Sequence, residues 1–128
     1  MSEPTYLLDT NGCIYLLART HPSLQARVSH CEPGSVGLSA IVCAELMLGF
    51  AQADERKKAM LGRFLDLFPV LPFDRNAARA YAEVPFRRGK LDRLIAAHAL
   101  ALRATLVTNN VRDFSDVPGL LLENWSEP

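Results

Sequence analysis

Four acidic residues stand at positions from which their carboxylates can act together: Asp9, Glu45, Asp92 and Asp113. Asp9 directly follows the apolar residues 6–8, and Asp113 lies shortly after the apolar residues 105–107. We predict that both apolar runs are buried strands, because short apolar runs bounded by polar residues are typical of a parallel sheet. Ligands of such sheets lie beyond the carboxyl ends of the strands, so both acids belong to the edge where a site is expected.

Glu45 and Asp92 belong to predicted helices. Glu45 lies within the apolar sequence of residues 40–51, where a carboxylate is costly to bury unless it is paired or bound to a cation. Asp92 is in the first turn of the helix at residues 91–102, where the helix dipole favours an acid. Each acid also has a purely structural interpretation: Asp9 and Asp92 as helix caps, and Glu45 on a solvated helix face. The prediction of a site therefore depends on all of them reaching one edge of the sheet.

Crowding of these carboxylates predicts a metal site. Several carboxylates in one pocket repel one another, and a hard divalent cation relieves that repulsion. Oxygen-only ligands suit Mg²⁺ or Mn²⁺, and such a cation can activate water and neutralise charge on a phosphodiester. The sequence has no cysteine–histidine cluster with zinc spacing, no Walker loop, no G-x-G-x-x-G and no G-x-S-x-G. These absences argue against a zinc site, a nucleotide-binding loop and a serine hydrolase.

The composition is that of one ordinary globular domain, which we predict to cover residues 1–128. Hydrophobic residues make up 49% of the chain and charged residues 22%. The formal net charge is zero, so the charge of the whole molecule does not point to nucleic acid and any RNA-binding surface must be local. No apolar run is long enough to cross a bilayer and no secretory signal is visible. We therefore expect a cytoplasmic protein that makes no membrane contact.

Short apolar runs alternate with helical patterns along the whole chain. The predicted strands are residues 6–8, 36–38, 70–71, 105–107 and 120–123. The first predicted helix begins after Asp9 and ends near residue 17, and the others cover residues 23–30, 40–51, 54–67, 75–84 and 91–102. Strands that alternate with helices require crossover connections and therefore a mostly parallel sheet. We predict an α/β fold, an α/β/α sandwich with four or five strands.

Six stretches of the sequence, in order over nearly the whole chain, resemble one known family. They are Tyr6-Leu-Leu-Asp-Thr-Asn11, Leu38-Ser-Ala-Ile-Val-Cys-Ala-Glu-Leu46, Leu71-Pro-Phe-Asp74, Leu91-Asp-Arg-Leu-Ile-Ala-Ala-His-Ala-Leu100, Leu106-Val-Thr-Asn-Asn110 with Asp113-Phe114, and Val117-Pro-Gly119 to Glu123-Asn-Trp125. These stretches resemble PIN-domain proteins, and specifically the VapC toxins of bacterial toxin–antitoxin pairs. The resemblance implies a PIN-like α/β/α sandwich and an RNA endonuclease that uses Mg²⁺ or Mn²⁺. It also implies a homodimer, and a hetero-oligomer in which a VapB-type antitoxin holds the toxin inactive.

The same resemblance assigns roles to individual residues. It places the invariant acids of the family on Asp9, Glu45 and Asp92, and the more variable fourth acid on Asp113. Three further residues match polar positions that line the site of the family: Asn11, Thr108 and Asn110. We interpret Thr108 and Asn110 as hydrogen-bond partners of the carboxylates or of the attacking water.

Basic residues surround Asp92 in the sequence: Arg87, Arg88, Lys90 and Arg93, with Arg112 close to Asp113. One interpretation is a solvated loop, and the other is a set of side chains that bind RNA phosphates or acidic residues of the antitoxin. The position beside Asp92 favours the binding role. Many relatives have a longer segment before the third acid. Here that segment, residues 84–92, is short, so this loop departs from the family pattern.

Three alternatives to a toxin ribonuclease remain open at the level of sequence. A housekeeping PIN-domain nuclease would process RNA without an antitoxin, and a non-catalytic PIN-fold module would only bind. The retained acids argue against the binding module. A phosphatase with an aspartyl nucleophile normally needs a second aspartate two residues after the first, and position 11 is Asn11.

Overall fold

The computed structural model of the protein describes residues 3–88 and 90–128. Strands and helices follow one another as β1 (Tyr6–Leu8), α1 (Thr10–Ala18), α2 (Pro22–Ser29), β2 (Val36–Ser39), α3 (Ala40–Gly49), α4 (Glu55–Leu65), β3 (Val70–Leu71), α5 (Arg75–Tyr81), α6 (Asp92–Leu102), β4 (Thr105–Val107), α7 (Val111–Phe114) and β5 (Leu121–Glu123). Within this part of the chain the strands form one five-stranded sheet in the order β3-β2-β1-β4-β5, and every neighbouring pair is parallel. The predicted α/β fold with a parallel sheet is confirmed.

β1 is the middle strand of the sheet, and the order in which strands are added reverses beside it. β1 pairs with β2 through Tyr6 and Val36, and with β4 through Leu8 and Val107. The chain first builds β2 and β3 on one side of β1 and then returns to build β4 and β5 on the other. Such a reversal leaves a crevice outside the carboxyl ends of the strands, where open parallel sheets bind ligands. Asp9 is the first residue beyond β1 and so stands at this point.

The central strands are buried, as their apolar sequences predict. Leu7, Leu38 and Leu106 are completely buried, which is the pattern of strands that are covered on both faces. Trp125, just after β5, is also buried, and its ring meets the ring of Tyr6 edge-on with 4.8 Å between the centroids. The residues that follow the last strand therefore belong to the same core as the first strand.

Polar side chains start several of the helices. Asp9, Ser39, Asp54 and Asp74 are the N-caps of α1, α3, α4 and α5, and each accepts a hydrogen bond from a backbone N–H of the first turn. These caps satisfy amides that have no partner inside the helix. α4 and α6, with 11 residues each, are the longest helices. Among the helices of residues 3–88 and 90–128, none has the length and apolarity needed to pass through a membrane.

One helix ends earlier than predicted for a clear physical reason, and one short helix was not predicted. α5 ends at Tyr81 rather than near residue 84. The amides of Glu83 and Val84 bond to carbonyls only three residues back, at 3.0 and 3.2 Å, so the helix tightens into turns ahead of Pro85, which cannot continue it. α7 forms a short helix where we predicted a loop, because its four residues are too few for a helical pattern to appear in the sequence.

Candidate active site

A small cavity lies where the strand order reverses. Its volume is about 150 Å³, and it is lined by residues from α1, α3, α6 and the segment around α7: Asp9, Thr10, Asn11, Glu45, Asp92, Ile95, Asn110 and Phe114. Three of the four predicted carboxylates and two of the three predicted polar residues therefore line one cavity. The fourth acid, Asp113, and Thr108 are not in its lining.

Asp9 is held in place by the start of α1. The residue is only 7% exposed, and its Oδ1 accepts the backbone N–H of Gly12 at 2.7 Å. A Cβ atom at position 12 would lie 3.0 Å from that oxygen, so glycine permits the close approach of backbone and carboxylate. Burial raises the pKa of Asp9, the Thr108 hydroxyl and the Gly12 amide lower it in part, and the charge of Asp92 raises it further. The ionised Asp9 carboxylate is thus poorly compensated by the protein itself.

Glu45 is joined to α1 by a side-chain hydrogen bond. The hydroxyl of Thr10 donates to Glu45 Oε1 at 2.7 Å, although the two residues are 35 positions apart. The bond ties α1 to α3 at the cavity and fixes one oxygen of the glutamate. Thr10 was not among the predicted site residues, and its position directly after Asp9 was the available signal.

The donor set of the cavity fits a hard divalent cation. Asp9, Glu45 and Asp92 take part in none of the ion pairs found among the described residues, and all three offer oxygen. In residues 3–88 and 90–128, however, no three His, Cys, Asp or Glu side chains come close enough together to form a complete metal cage. Mg²⁺ keeps several waters and commonly uses only one or two carboxylates, so the residues present suit a partly hydrated cation.

Asp113 is connected to the cavity through Asn110. The Asn110 side-chain amide donates to Asp113 Oδ2 at 2.7 Å, and the Asn110 backbone N–H donates to Thr108 Oγ1 at 3.0 Å. Asn110 itself lines the cavity. The structure thus gives Asp113 a partner at the site, and its role as a direct ligand stays a prediction.

The structure corrects the predicted role of Arg93. Its side chain is only 3% exposed and forms an ion pair with Asp116 at 3.1 Å, so it is not presented to RNA or to an antitoxin. Arg87 also pairs with Asp116, at 3.2 Å, but stays half-exposed. The other predicted contact residues, Arg88, Lys90 and Arg112, are exposed. Their binding of RNA or of an antitoxin stays a prediction. Gly89, in the same short loop, lies outside the described residues.

His98 links the two helices that carry Glu45 and Asp92. It is buried in α6, and its Nδ1 lies 2.7 Å from the Oγ of Ser39, the residue that caps α3. Burial lowers the pKa of His98, and the charge of Asp74, the Pro72 carbonyl and the charge of Glu3 oppose that effect. The imidazole is therefore neutral at neutral pH, as expected for a packed histidine.

Lowering the pH is expected to destabilise the fold through His98. The unfolded chain binds a proton near pH 6.5, whereas the folded chain binds it only at lower pH, so the free energy of unfolding falls as the pH drops below about 6.5. The loss amounts to about 1.4 kcal/mol for each unit of difference between the two pKa values. Urea unfolding in EDTA between pH 7.5 and 5 measures it. His98→Gln should flatten this dependence, and equal slopes in the wild type and His98→Gln would contradict the assignment.

Comparison with known proteins agrees with this fold. A family model described as the PIN domain matches residues 6–120, and the chain belongs to the PIN-domain family. Similar relatives within the family are named VapC. The chain is 33% identical over 132 residues to Ribonuclease VapC2 of Rickettsia felis, across 95% of this chain and 98% of the relative. It is 32% identical over 130 residues to the tRNA(fMet)-specific endonuclease VapC of Shigella flexneri, across 94% and 98%.

A solved structure with a similar fold is the DNA-bound VapBC of Salmonella typhimurium. It superposes with a TM-score of 0.85 at 29% identity, and the match covers 98% of this chain and 99% of that chain. The resemblance to VapC proteins that the sequence motifs indicated is therefore confirmed.

Proposed function

We propose that this protein is a metal-dependent endoribonuclease, the toxin of a toxin–antitoxin pair. The observation that carries the proposal is the cavity at the carboxyl end of β1, where Asp9, Glu45 and Asp92 meet with Asn11 and Asn110. Relatives that match nearly the whole chain are named as ribonucleases, which supports RNA as the substrate class. Mg²⁺ or Mn²⁺ is the cofactor that these oxygen ligands favour.

The residues of the cavity have different roles in hydrolysis. Asp9 and Asp92 concentrate negative charge at the end of β1, and the mutual repulsion of the two makes cation binding favourable. Thr10 holds Glu45, and Asn110 stands between the cavity and Asp113. A bound cation would supply charge neutralisation at a phosphodiester and a water of lowered pKa, and Asp9, Glu45 and Asp92 are the residues that would hold it. Exposed Arg88, Lys90 and Arg112 would hold the phosphates of the RNA outside the cavity.

A VapB-type antitoxin is the proposed regulatory partner. The similar structures from Rickettsia felis and Salmonella typhimurium are both VapBC assemblies, and their likeness to this chain supports the same kind of pairing here. We also propose a homodimer and a toxin–antitoxin hetero-oligomer, formed in the cytoplasm. Growth arrest on expression of the chain, relieved by an antitoxin gene from the neighbouring locus, would separate this proposal from a housekeeping nuclease.

RNA cleavage by the purified protein tests the proposal. Total RNA and isolated tRNA are incubated with the protein and Mg²⁺ or Mn²⁺, with and without EDTA. We expect cleavage that EDTA abolishes and that added metal restores. Asp92→Asn should lower the rate by more than about 100-fold, since even outer partners of metal ligands are worth 10–100-fold.

The matched control is Asp66→Asn, at an exposed aspartate that ends α4, and it should cleave like the wild type. Cleavage that persists in EDTA, or that is equal in wild type and Asp92→Asn, would overturn the proposal. tRNA is included because the name of the Shigella flexneri relative specifies tRNA(fMet).

A further inference from the structure

Arg93 is a buried cation whose partners are both in one segment. Its Nη1 donates to Asp116 Oδ1 at 3.1 Å, and its Nη2 donates to the Asp113 carbonyl at 3.0 Å. A guanidinium that is 3% exposed is stable only when it is paired and hydrogen-bonded. Arg93, which follows Asp92 in α6, is therefore bonded to Asp113 within α7 and to Asp116 beyond it.

Asp116 uses both carboxylate oxygens on arginines. Oδ1 accepts from Arg93, and Oδ2 accepts from Arg87 at 3.2 Å. The two arginines stand near the two ends of the short loop before Asp92, whose described residues 85–88 and 90–91 contain neither helix nor strand. One carboxylate therefore holds both Arg87, within this loop, and Arg93, just beyond its end.

The same contact fixes α7. A four-residue helix has no stability of its own, because helix nucleation is costly. Arg93 binds the Asp113 carbonyl, one of the carbonyls that lack a partner at a helix end. Asn110, which precedes this short helix, and Phe114, its last residue, both line the cavity. Movement of Asp116 would thus disturb the Asn110–Asp113 hydrogen bond on one side and the position of Asp92 on the other.

We propose that Asp116 is a positioning residue of the active site: by binding Arg87 and Arg93 together, it sets Asn110 and Asp113 against Asp92 around the cavity. The inference rests on the proposed function and adds to it. Asp116 lies outside the cavity lining and acts through the arginines. The two arginines also hold the pKa of Asp116 below its ordinary value, so the carboxylate keeps its charge throughout the pH range of an RNA assay.

The test uses the full-length protein and begins with a readout that needs neither metal nor activity. In Asp116→Asn, which keeps the shape and loses the charge, we expect the NMR signals of the Asn110 side-chain amide and of the α7 backbone to shift or broaden. Signals from β1 should stay in place. Unchanged Asn110 and α7 signals would overturn the proposal, whatever the protein does to RNA.

Cleavage kinetics provide the second readout. Asp116→Asn should lower kcat about tenfold and raise the Mn²⁺ concentration for half-maximal rate, with little change in KM for RNA, because outer partners of metal ligands are worth 10–100-fold. Asp116→Glu, which keeps the carboxylate, should recover part of the loss. Arg87→Gln breaks only the exposed ion pair between the loop and Asp116. This variant replaces Asp116→Asn in the test if Asp116→Asn does not fold. It should shift the same NMR signals by less.

The matched control is Glu123→Gln, which removes the charge from another surface ion pair, Arg27–Glu123 at 3.4 Å, and should leave cleavage unchanged. Wild-type kinetics in both Asp116→Asn and Arg87→Gln would overturn the proposal. If the wild type fails to cut RNA but the Asn110 signals move in Asp116→Asn, the proposed function fails and the positioning role of Asp116 stands.

Discussion

Replacement of Asp9 by asparagine is expected to abolish RNA cleavage and, in the absence of metal, to stabilise the fold. Asp9 lines the cavity and is almost fully buried. Loss of its charge should reduce the rate by more than about 100-fold, the upper end of what outer partners of metal ligands contribute. The asparagine keeps an oxygen for the Gly12 amide, which Asp9 binds at 2.7 Å, and caps helices as well as aspartate does.

The gain in stability follows from the raised pKa of Asp9. Because burial, chiefly, makes the folded state favour the protonated acid, the free energy of unfolding decreases as the pH rises from about 3.8 through the folded pKa. Asparagine removes that loss, so Asp9→Asn should be more stable than wild type at pH 7 in EDTA, and the difference should shrink towards pH 4. Urea unfolding at the two pH values measures it.

The control for Asp9→Asn is Asp54→Asn. Asp54 caps α4 through the amide of Lys57 at 2.9 Å, as Asp9 caps α1, but it is exposed. Asp54→Asn should leave cleavage unchanged and should not reproduce the gain in stability expected of Asp9→Asn. An Asp9→Asn protein that is less stable than wild type at pH 7, or that cuts RNA at the wild-type rate, would contradict the function assigned to this carboxylate.

Replacement of Trp125 by alanine is expected to give the largest loss of stability, about 3–5 kcal/mol. The ring packs edge-on against Tyr6, Arg27 lies 4.7 Å above it, and its Nε1–H donates to Glu123 Oε1 at 2.8 Å. Alanine removes these contacts and leaves a void between β1, β5 and α2. Single domains are stable by only about 5–15 kcal/mol, so much of the folded population would be lost near 37 °C.

Far-UV circular dichroism during urea unfolding measures the effect of Trp125→Ala, since the variant has no tryptophan to follow. Trp125→Phe should lose clearly less, because it keeps an aromatic ring against Tyr6. Leu121→Ala, on the edge strand β5 that precedes Trp125 but 60% exposed, should stay within about 0.5 kcal/mol of wild type. A Trp125→Ala protein as stable as Leu121→Ala would show that the end of the chain is not part of the core.

Local patterns in the sequence were enough to predict the strands and most helices. β1 and β4 match their predicted residues, 6–8 and 105–107, because each is a short apolar run bounded by polar residues. The predicted starts of α3 and α5, at residues 40 and 75, also match the structure. The order of the strands could not be derived in this way, because nothing in a single strand says which neighbour it pairs with.

The candidate site was only partly predictable for the same reason. Asp9, Glu45 and Asp92 each stand beside a recognisable strand or helix, so their meeting at one cavity agrees with the expectation. Arg93 was misjudged because its partner, Asp116, is 23 residues away and a charge in a basic run gives no sign of burial. Asp116 was not among the predicted site residues, although its carboxylate binds two arginines.

The central position of β1 has a consequence for synthesis of the protein. β1 needs β2 on one side and β4 on the other, and β4 comes from residues 105–107. Pairings between such distant segments form slowly and late. A growing chain therefore has no assembled cavity, and no nuclease activity, until most of its residues have left the ribosome.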